Sequence, residues 1–209
     1  MLTLDAPNNT IFDDASHRAF DPARRRWIGA EQHAPNGSPI SWREAATWLQ
    51  RCSGYPIRAP VAVVGPREAN AEQLAAAESV GGALAEIGLV VLCGGRQGIM
   101  EAVSRGVLAK GGISIGLLPG SDPVEANPYV TVAIASGIGE ARNAIIARAG
   151  FCLLAIGNSY GTLSEVALGL QFGRRVIGLC DAARIDGILH CEDPDSAIDA
   201  VCRFLLAWD

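Results

Sequence analysis

From Pro60 onward, short apolar segments alternate with longer segments of helical period. Six apolar segments and a weaker seventh are predicted to be strands: Val61–Val64, Leu89–Cys93, Ser114–Leu118, Val130–Ala133, Phe151–Ile156, Val176–Leu179 and Ile188–Cys191. Helices are predicted at Asn70–Glu86, Gly98–Ala109, Gly139–Ala149, Gly161–Phe172 and Pro194–Ala207. Apolar strands that alternate with helices are typical of a parallel sheet covered on both faces. The sequence therefore predicts a doubly wound α/β fold with a mostly parallel, Rossmann-like sheet.

Residues 1–58 differ in character from the remainder and contain three of the four tryptophans. We expect them to form an N-terminal appendage of turns, strands and one short helix, followed by a Rossmann-fold domain at residues 59–209. Ser41 is placed to cap the helix Trp42–Arg51, and Glu44 occupies the capping-box position.

The composition excludes several classes of function. A net charge of −5 argues against a nucleic-acid partner or an acidic membrane surface. The chain starts without a basic, apolar leader, and its six cysteines contain no C-x-x-C pair, so we expect a cytoplasmic protein with buried free thiols. Cys180, His190 and Cys191 lack the spacing of a zinc site, and no metal site is predicted.

Three glycine-bearing turns directly follow predicted strands: Gly65–Arg67, Gly94–Gly98 and Gly157–Thr162. The carboxyl ends of parallel strands meet at one edge of a sheet, so these turns are expected to converge. Glycine permits a ligand to approach the backbone, and the start of a helix offers unpaired N–H groups to an anion. The three turns therefore predict a phosphate site. None of them matches the fingerprint of a dinucleotide dehydrogenase or a P-loop NTPase.

Two ionisable residues lie near these turns. Glu165 is placed in the first turn of the helix that starts at Gly161, where its carboxylate either faces a ligand or only interacts with the helix dipole. Arg142 opens the helix before the fifth strand, at the positive end of the helix dipole. An anion that pairs with Arg142 is the simplest explanation for this position.

Several segments carry a family resemblance. They are Cys93-Gly94-Gly95-Arg96-Gln97-Gly98-Ile99-Met100-Glu101-Ala102, Gly139-Glu140-Ala141-Arg142-Asn143 and Tyr160-Gly161-Thr162-Leu163-Ser164-Glu165. They resemble the LONELY GUY (LOG) superfamily, which has a G-G-G-x-x-G-L-M-G motif and an Arg-Lys pair before a P-G-G-x-G-T-x-x-E motif. Arg142 stands 20 residues before Thr162, as in the family pattern. The resemblance covers about Pro60 to Asp209 and leaves residues 1–58 unmatched.

Three further segments resemble one branch of this superfamily, the nucleotide-binding proteins related to molybdenum cofactor carrier proteins. They are Leu118-Pro119-Gly120-Ser121-Asp122, Glu125-Ala126-Asn127-Pro128-Tyr129 and Ala141-Arg142-Asn143. The resemblance implies one of two activities. LOG enzymes hydrolyse the N-glycosidic bond of nucleoside 5′-monophosphates, which would make Arg142 and Glu165 catalytic here. Carrier proteins of the other branch bind a phosphorylated pterin-type cofactor without chemistry.

The sequence departs from the LOG pattern at Asn158 and Ser159, which replace two motif glycines, and at Asn143, which replaces the lysine. Asn and Ser still donate hydrogen bonds to phosphate, so binding of a phosphorylated nucleotide or pterin ranks above hydrolysis; an interaction module with a vestigial pocket is the third alternative. No cofactor is required for binding. The predicted ligand-binding residues are Gly65, Gly94, Gly95, Gln97, Gly98, Met100, Asn143, Gly157, Asn158, Ser159, Tyr160, Gly161 and Thr162.

The predicted helices Gly98–Ala109 and Gly161–Phe172 carry apolar residues on more than one face. A helix on a sheet needs only one apolar stripe, so this surplus predicts a homodimer or a dimer of dimers. The alternative is that residues 1–58 cover the same surface within one chain.

Overall fold

The computed structural model describes residues 1–30 and 37–207. It divides into two compact units, Met1–Ile57 together with the segment from Asp199 onward, and Arg58–Ile198. The predicted boundary at residues 58 and 59 lies beside this division, but the segment after Ile198 groups with the first unit. Residues 31–36 and 208–209 of the predicted domains lie outside the described residues.

The first unit contains a five-stranded antiparallel sheet and helix α1. Its strands are β1 (Leu2–Asp5), β2 (Thr10–Asp13), β3 (Arg18–Asp21), β4 (Arg26–Gly29) and β5 (Ser38–Ile40), in the order β4-β3-β2-β1-β5. Helix α1 spans Trp42–Arg51, and the predicted capping box is present. The amide of Glu44 donates to Ser41 Oγ at 3.2 Å, and the amide of Ser41 donates to Glu44 Oε2 at 2.7 Å. These bonds satisfy amides that the start of the helix leaves unpaired.

The second unit is built on a seven-stranded parallel sheet in the order β12-β11-β10-β6-β7-β8-β9. The strands are β6 (Val61–Val64), β7 (Val91–Cys93), β8 (Ser114–Leu118), β9 (Val132–Ala135), β10 (Cys152–Ile156), β11 (Arg175–Leu179) and β12 (Ile188–His190). The remaining helices are α2 (Ala71–Ile87), α3 (Ile99–Ala109), α4 (Arg142–Ala149), α5 (Tyr160–Gln171) and α6 (Pro194–Leu205). The predicted doubly wound α/β fold is confirmed. None of the helices in the described ranges is long and apolar enough to cross a membrane.

The centre of this sheet fixes the position of the site. Strands β6 and β10 are paired and buried along their whole length. The chain runs outward from β6 through β7 to β9 on one side, and from β10 through β11 to β12 on the other. The order of the strands therefore reverses between β6 and β10, and such a switch point opens a crevice at the carboxyl ends of the strands.

Several predicted elements have other bounds in the structure: β7 begins at Val91 rather than Leu89, and α6 ends at Leu205 rather than Ala207. Two further shifts have a visible physical cause. Strand β9 begins at Val132 rather than Val130, because Asn127 holds the chain in a turn whose last bond runs from the amide of Val130 to the carbonyl of Asn127. The predicted helix 139–149 begins as a 3₁₀ turn, and α4 starts only at Arg142. Gly139 has φ +60°, a left-handed conformation that an α-helix does not contain.

Packing within the second unit also explains most of the surplus apolar surface on α3. Helix α2 lies directly against α3, and Ile99, Met100, Val103 and Val107 are buried. Of the large apolar residues on α3, only Leu108 is exposed. The apolar surface of α3 is therefore no evidence that the chain associates with a second copy of itself. The homodimer or dimer of dimers stays a prediction.

All six cysteines are free. Cys93, Cys152 and Cys202 are buried, as expected. The expectation is wrong for Cys52, which is exposed, and for Cys180 and Cys191, which are half-buried because the strands before them end at the sheet edge.

Candidate functional site

A cavity of about 790 Å³ lies at the switch point, in the second unit. It is formed where β6, β7 and β10 end and where α4 and α5 begin. Its lining residues are Val64, Gly65, Pro66, Arg67, Glu68, Gly94, Met100, Glu140, Arg142, Asn143, Asn158, Ser159, Tyr160, Gly161, Thr162, Ser164 and Glu165. The three predicted turns therefore converge on one cavity.

Nine of the thirteen predicted ligand-binding residues line this cavity: Gly65, Gly94, Met100, Asn143, Asn158, Ser159, Tyr160, Gly161 and Thr162. The other four do not. Gly95 packs on Gly116, the backbone of Gly98 lies against the carbonyl of Arg67, Gly157 lies against the side chain of Gln73, and Gln97 is exposed outside the cavity. Three of these four positions require glycine for close packing inside the protein.

The start of α5 forms one wall of the cavity. Ser159 is the N-cap, and its Oγ accepts from the amide of Thr162 at 3.1 Å and pairs with Thr162 Oγ1 at 2.8 Å. Among the described residues, the amides of Tyr160 and Gly161 donate to no acceptor. Two free N–H groups at the positive end of a 12-residue helix can donate hydrogen bonds to an anion.

Another part of the cavity wall is a buried ion pair. Nη1 of Arg142 donates to Oε1 of Glu165 at 3.2 Å, and the two residues are only 4% and 6% exposed. The predicted anion partner of Arg142 is thus a carboxylate of the same chain. Glu165 lies in the second turn of α5, not the first, because the helix begins at Tyr160. The glycine at residue 94 leaves room for the guanidinium group.

Burial raises the pKa of the Glu165 carboxyl group to about 7. Loss of hydration is the largest cause, the charge of Glu140 acts in the same direction, and the charge of Arg142 opposes both. The side chain therefore changes its protonation state near neutral pH, within a cavity that small molecules can reach.

Asn143 lies beside this pair and is 6% exposed. Its Nδ2 donates to Ser164 Oγ at 3.0 Å, and Ser164 Oγ donates to the carbonyl of Gly161 at 2.7 Å. This chain of bonds fixes the asparagine against α5. In the described part of the chain, Oδ1 of Asn143 and Nε of Arg142 are buried without a hydrogen-bond partner. Buried polar atoms are usually paired, so these two atoms are exceptions within the site.

Four polar residues line the cavity but were not predicted. Arg67 Nη2 lies 4.0 Å from Glu140 Oε1 at the mouth, where both side chains are half-exposed or more. Arg67 belongs to the turn that follows the first predicted strand, so its position was recognisable in the sequence. Glu140 and Ser164 lie in the segments that carry the family resemblance, beside Arg142 and Glu165, whereas Glu68 has no distinguishing pattern.

Cys180, His190 and Cys191 line a separate cavity of about 440 Å³ at the ends of β11 and β12. Burial raises the pKa of both thiols, which keeps them protonated. Across residues 1–30 and 37–207, no three His, Cys, Asp or Glu side chains are arranged to hold a metal ion.

The second unit is similar in sequence and structure to known proteins. The family model of the SLOG cluster4 family matches residues 58–198, the range of the second unit. The molybdenum cofactor binding protein of Rippkaea orientalis is similar in structure, with a TM-score of 0.66 and 34% identity over 69% of this chain and 96% of that one. The molybdenum cofactor carrier protein of Chlamydomonas reinhardtii has a TM-score of 0.66 and 32% identity over 72% and 99%. An uncharacterised protein of Archaeoglobus fulgidus is 36% identical over 139 residues, 66% of this chain and 91% of that protein.

Proposed function

The chain belongs to the SLOG cluster4 family, and on this basis we propose that it binds a phosphorylated small molecule of the pterin or nucleotide class in the switch-point cavity. The observation that carries the proposal is the pairing of two features in one cavity. Free amides at the start of α5 form one wall, and the buried Arg142 forms the other. A phosphate and an organic group would occupy the two ends.

The dimensions and chemistry of the cavity support this proposal. Ligand cavities for small molecules have volumes of about 300–1,000 Å³, and the volume of 790 Å³ lies within that range. Asn158 and Ser159, which replace the motif glycines, leave the cavity open, because Ser159 points back to cap its own helix. The side chains that replace the glycines therefore give no support to a vestigial pocket.

The similar structures favour the pterin class. Two of them are named for binding or carrying the molybdenum cofactor, which contains a pterin. The free N–H groups and hydroxyls at the start of α5 suit the phosphate of such a molecule. Carriage without chemistry requires only binding and release.

Isothermal titration calorimetry of the full chain tests this function. The ligands are 6-hydroxymethylpterin phosphate, nucleoside 5′-monophosphates and ribose 5-phosphate, and the mixture is analysed afterwards for intact ligand. We expect saturable binding of at least one phosphorylated heterocycle, with the ligand recovered unchanged. Absence of heat and of thermal stabilisation at millimolar concentrations of every ligand contradicts the proposal, because a ligand of the native state must raise its stability.

Hydrolysis of the LOG type is a second candidate, favoured by one observation. Glu165 lies in the cavity beside Arg142 with its pKa raised to about 7, and a carboxylate stabilises an oxocarbenium-like centre when a glycosidic bond breaks. Incubation with AMP and cytokinin-type nucleotides, followed by an assay for free base, distinguishes the two functions. Release of base that is lost in Glu165→Gln establishes the enzyme and rejects the passive carrier.

A further inference from the structure

The charged side chains that line the switch-point cavity do not favour an anion when all of them are ionised. Among the described residues they are two arginines and three glutamates, namely Arg67, Arg142, Glu68, Glu140 and Glu165. The lining thus has one negative charge in excess, whereas a phosphate monoester brings a charge of about −1.5 to −2 at pH 7. A cavity that binds such a ligand gains affinity if one of its carboxylates is neutralised.

Solvent screens the charges at the mouth of the cavity. The side chains of Arg67 and Glu140 are 50% and 69% exposed, and Glu68 is exposed as well. Exposed charges interact weakly, because water and salt screen them. The affinity for an anion therefore depends most on the two buried charges, those of Arg142 and Glu165, which pair with each other at 3.2 Å.

Each partner of this pair has one polar atom that a ligand can reach. Among the described residues, Nη2 of Arg142 and Oε2 of Glu165 form no hydrogen bond, and neither is among the polar atoms that are buried without a partner. Both atoms therefore keep exposed surface, in contrast to Nε of Arg142. Because both residues line the cavity, a bound ligand can contact this side of the pair.

Glu165 also lies close to the proposed phosphate position. It follows Gly161 by four residues in α5, so the two residues share one face of the helix, about 6 Å apart along its axis. Side chains on a helix lean toward its N-terminus, which directs the Glu165 carboxylate toward the free amides of Tyr160 and Gly161. A phosphate bound to these amides repels the ionised carboxylate.

We propose that the cavity takes up its phosphorylated ligand together with a proton, which the carboxylate of Glu165 accepts. Once this carboxyl group is neutral, the charge of Arg142 is no longer compensated and attracts the phosphate. Ligand binding and protonation therefore favour each other, as reciprocal linkage requires. The inference rests on the proposed function, since it assigns a means of regulation to that site: withdrawal of the proton promotes release of the ligand.

The groups that face Glu165 permit this protonation near neutral pH. Burial raises the pKa of the Glu165 carboxyl group to about 7, Arg142 on α4 opposes that shift, and Glu140 on the preceding 3₁₀ turn adds to it. The thiol of Cys93 on β7 is buried next to this pair, and burial raises its pKa, so it stays neutral. Glu165 is therefore the group in the interior of the site that can change its charge in this range.

Calorimetry of the full chain at pH 7.5, in buffers that differ in their enthalpy of ionisation, measures the protons that accompany binding. The ligands are AMP and 6-hydroxymethylpterin phosphate. We expect an uptake of about 0.5 proton or more per bound ligand, because the phosphate raises the pKa of Glu165 further. The dissociation constant should rise about fivefold or more between pH 7 and pH 8.5.

Two variants and two neutral ligands assign the proton. Glu165→Gln has nearly the same shape but does not titrate, so it should lose this uptake and the pH dependence of affinity. The matched control is Glu68→Gln, which changes an exposed carboxylate of the same cavity and should retain the uptake. Adenosine and 6-hydroxymethylpterin lack the phosphate and should bind without the uptake that Glu165 provides. Thermal unfolding verifies that each variant is folded.

The outcomes are distinct. Binding of AMP or the pterin phosphate without proton uptake, or an uptake that persists unchanged in Glu165→Gln, overturns the inference and leaves the proposed function standing. Failure of both phosphorylated ligands to bind, at pH 6.5 as well as at pH 7.5, overturns the inference and the proposed function together. An uptake that Glu165→Gln abolishes and Glu68→Gln retains confirms the assignment.

Discussion

The guanidinium group of Arg142 packs directly on the backbone of Gly94. A Cβ atom at residue 94 would lie 2.6 Å from Nη2 of Arg142 and 2.7 Å from Sδ of Met100, closer than non-bonded atoms approach. The glycine therefore sets the position of the arginine, and through it the position of Glu165, which Arg142 contacts at 3.2 Å.

Gly94→Ala is expected to lower the free energy of unfolding by at most about 1 kcal/mol, because the atoms that a Cβ would meet are the ends of the flexible Arg142 and Met100 side chains, which can shift. It should also weaken ligand binding, since Arg142 is displaced. Urea unfolding and calorimetry measure the two effects. Gly29→Ala is the control, because a Cβ at residue 29 meets nothing within 4 Å. A variant at residue 94 that binds the ligand as tightly as this control contradicts the packing argument.

The close approach of α2 and α3 can be tested by substituting two adjacent glycines of α2. A Cβ at Gly81 would lie 2.2 Å from the carbonyl oxygen of Val103, whereas one at the adjacent Gly82 would have only ordinary contacts, at 3.6 Å or more. Gly81→Ala should lose about 1–3 kcal/mol. Gly82→Ala should be neutral or gain up to about 1 kcal/mol from helix propensity. Equal effects in chemical denaturation would refute this account of the helix contact.

Glu165 makes the stability depend on pH. Its pKa is raised from 4.5 to about 7 in the native state, so the folded chain binds a proton that the unfolded chain releases. The free energy of unfolding should fall as pH rises from about 5 to 7, by at most about 1.4 kcal/mol per unit, and level off above that range. Groups whose pKa is lowered, such as Asp13 and Glu78, change the free energy of unfolding only at pH values below this range.

Denaturation midpoints at pH 5, 6, 7 and 8 provide the measurement, with Glu165→Gln as the comparison. The glutamine does not titrate, so its profile should be flatter across the window. A wild-type profile parallel to that of the variant would show that Glu165 stays ionised throughout.

Substitutions at Ser159 separate the stability of α5 from anion binding. Ser159→Ala removes the cap on the amide of Thr162 and should cost about 1 kcal/mol. Ser159→Asp retains a capping oxygen but places a negative charge at the anion site. We therefore expect normal thermal stability and loss of binding to ribose 5-phosphate in Ser159→Asp. Undiminished binding would place the phosphate elsewhere.

Much of the fold was predictable because local signals agree with the tertiary structure. The capping box at Ser41 and Glu44 is present, and Asp193 accepts from the amide of Ser196 at the start of α6, as a capping aspartate should. The apolar segments that became β6 and β10 are buried throughout. Periodicity could not place β9, because the Asn127 turn that delays it depends on bonds to the carbonyls of Gly95 and Arg96, about 30 residues away.

The site was predictable as a location but not as a set of contacts. Strand ends and glycines indicated the edge of the sheet, whereas the bond between Arg142 and Glu165 joins residues 23 apart in the chain. Nothing in the local sequence states that Gly95 and Gly98 serve packing while Gly94 lines the cavity. That distinction depends on Gly116, Arg67 and Arg142, which approach only in the folded protein.

The central claim is that the start of α5 and the Arg142 wall together bind a phosphorylated ligand, and amide chemical shifts measured during a titration test it most directly. With 6-hydroxymethylpterin phosphate or GMP added to the ¹⁵N-labelled full chain, the amide signals of Tyr160 and Gly161 should move and saturate together with the Nε signal of Arg142. Saturating shifts confined to other parts of the chain, such as the Cys180–Cys191 cavity, or no shifts with either ligand at millimolar concentration, would contradict the account.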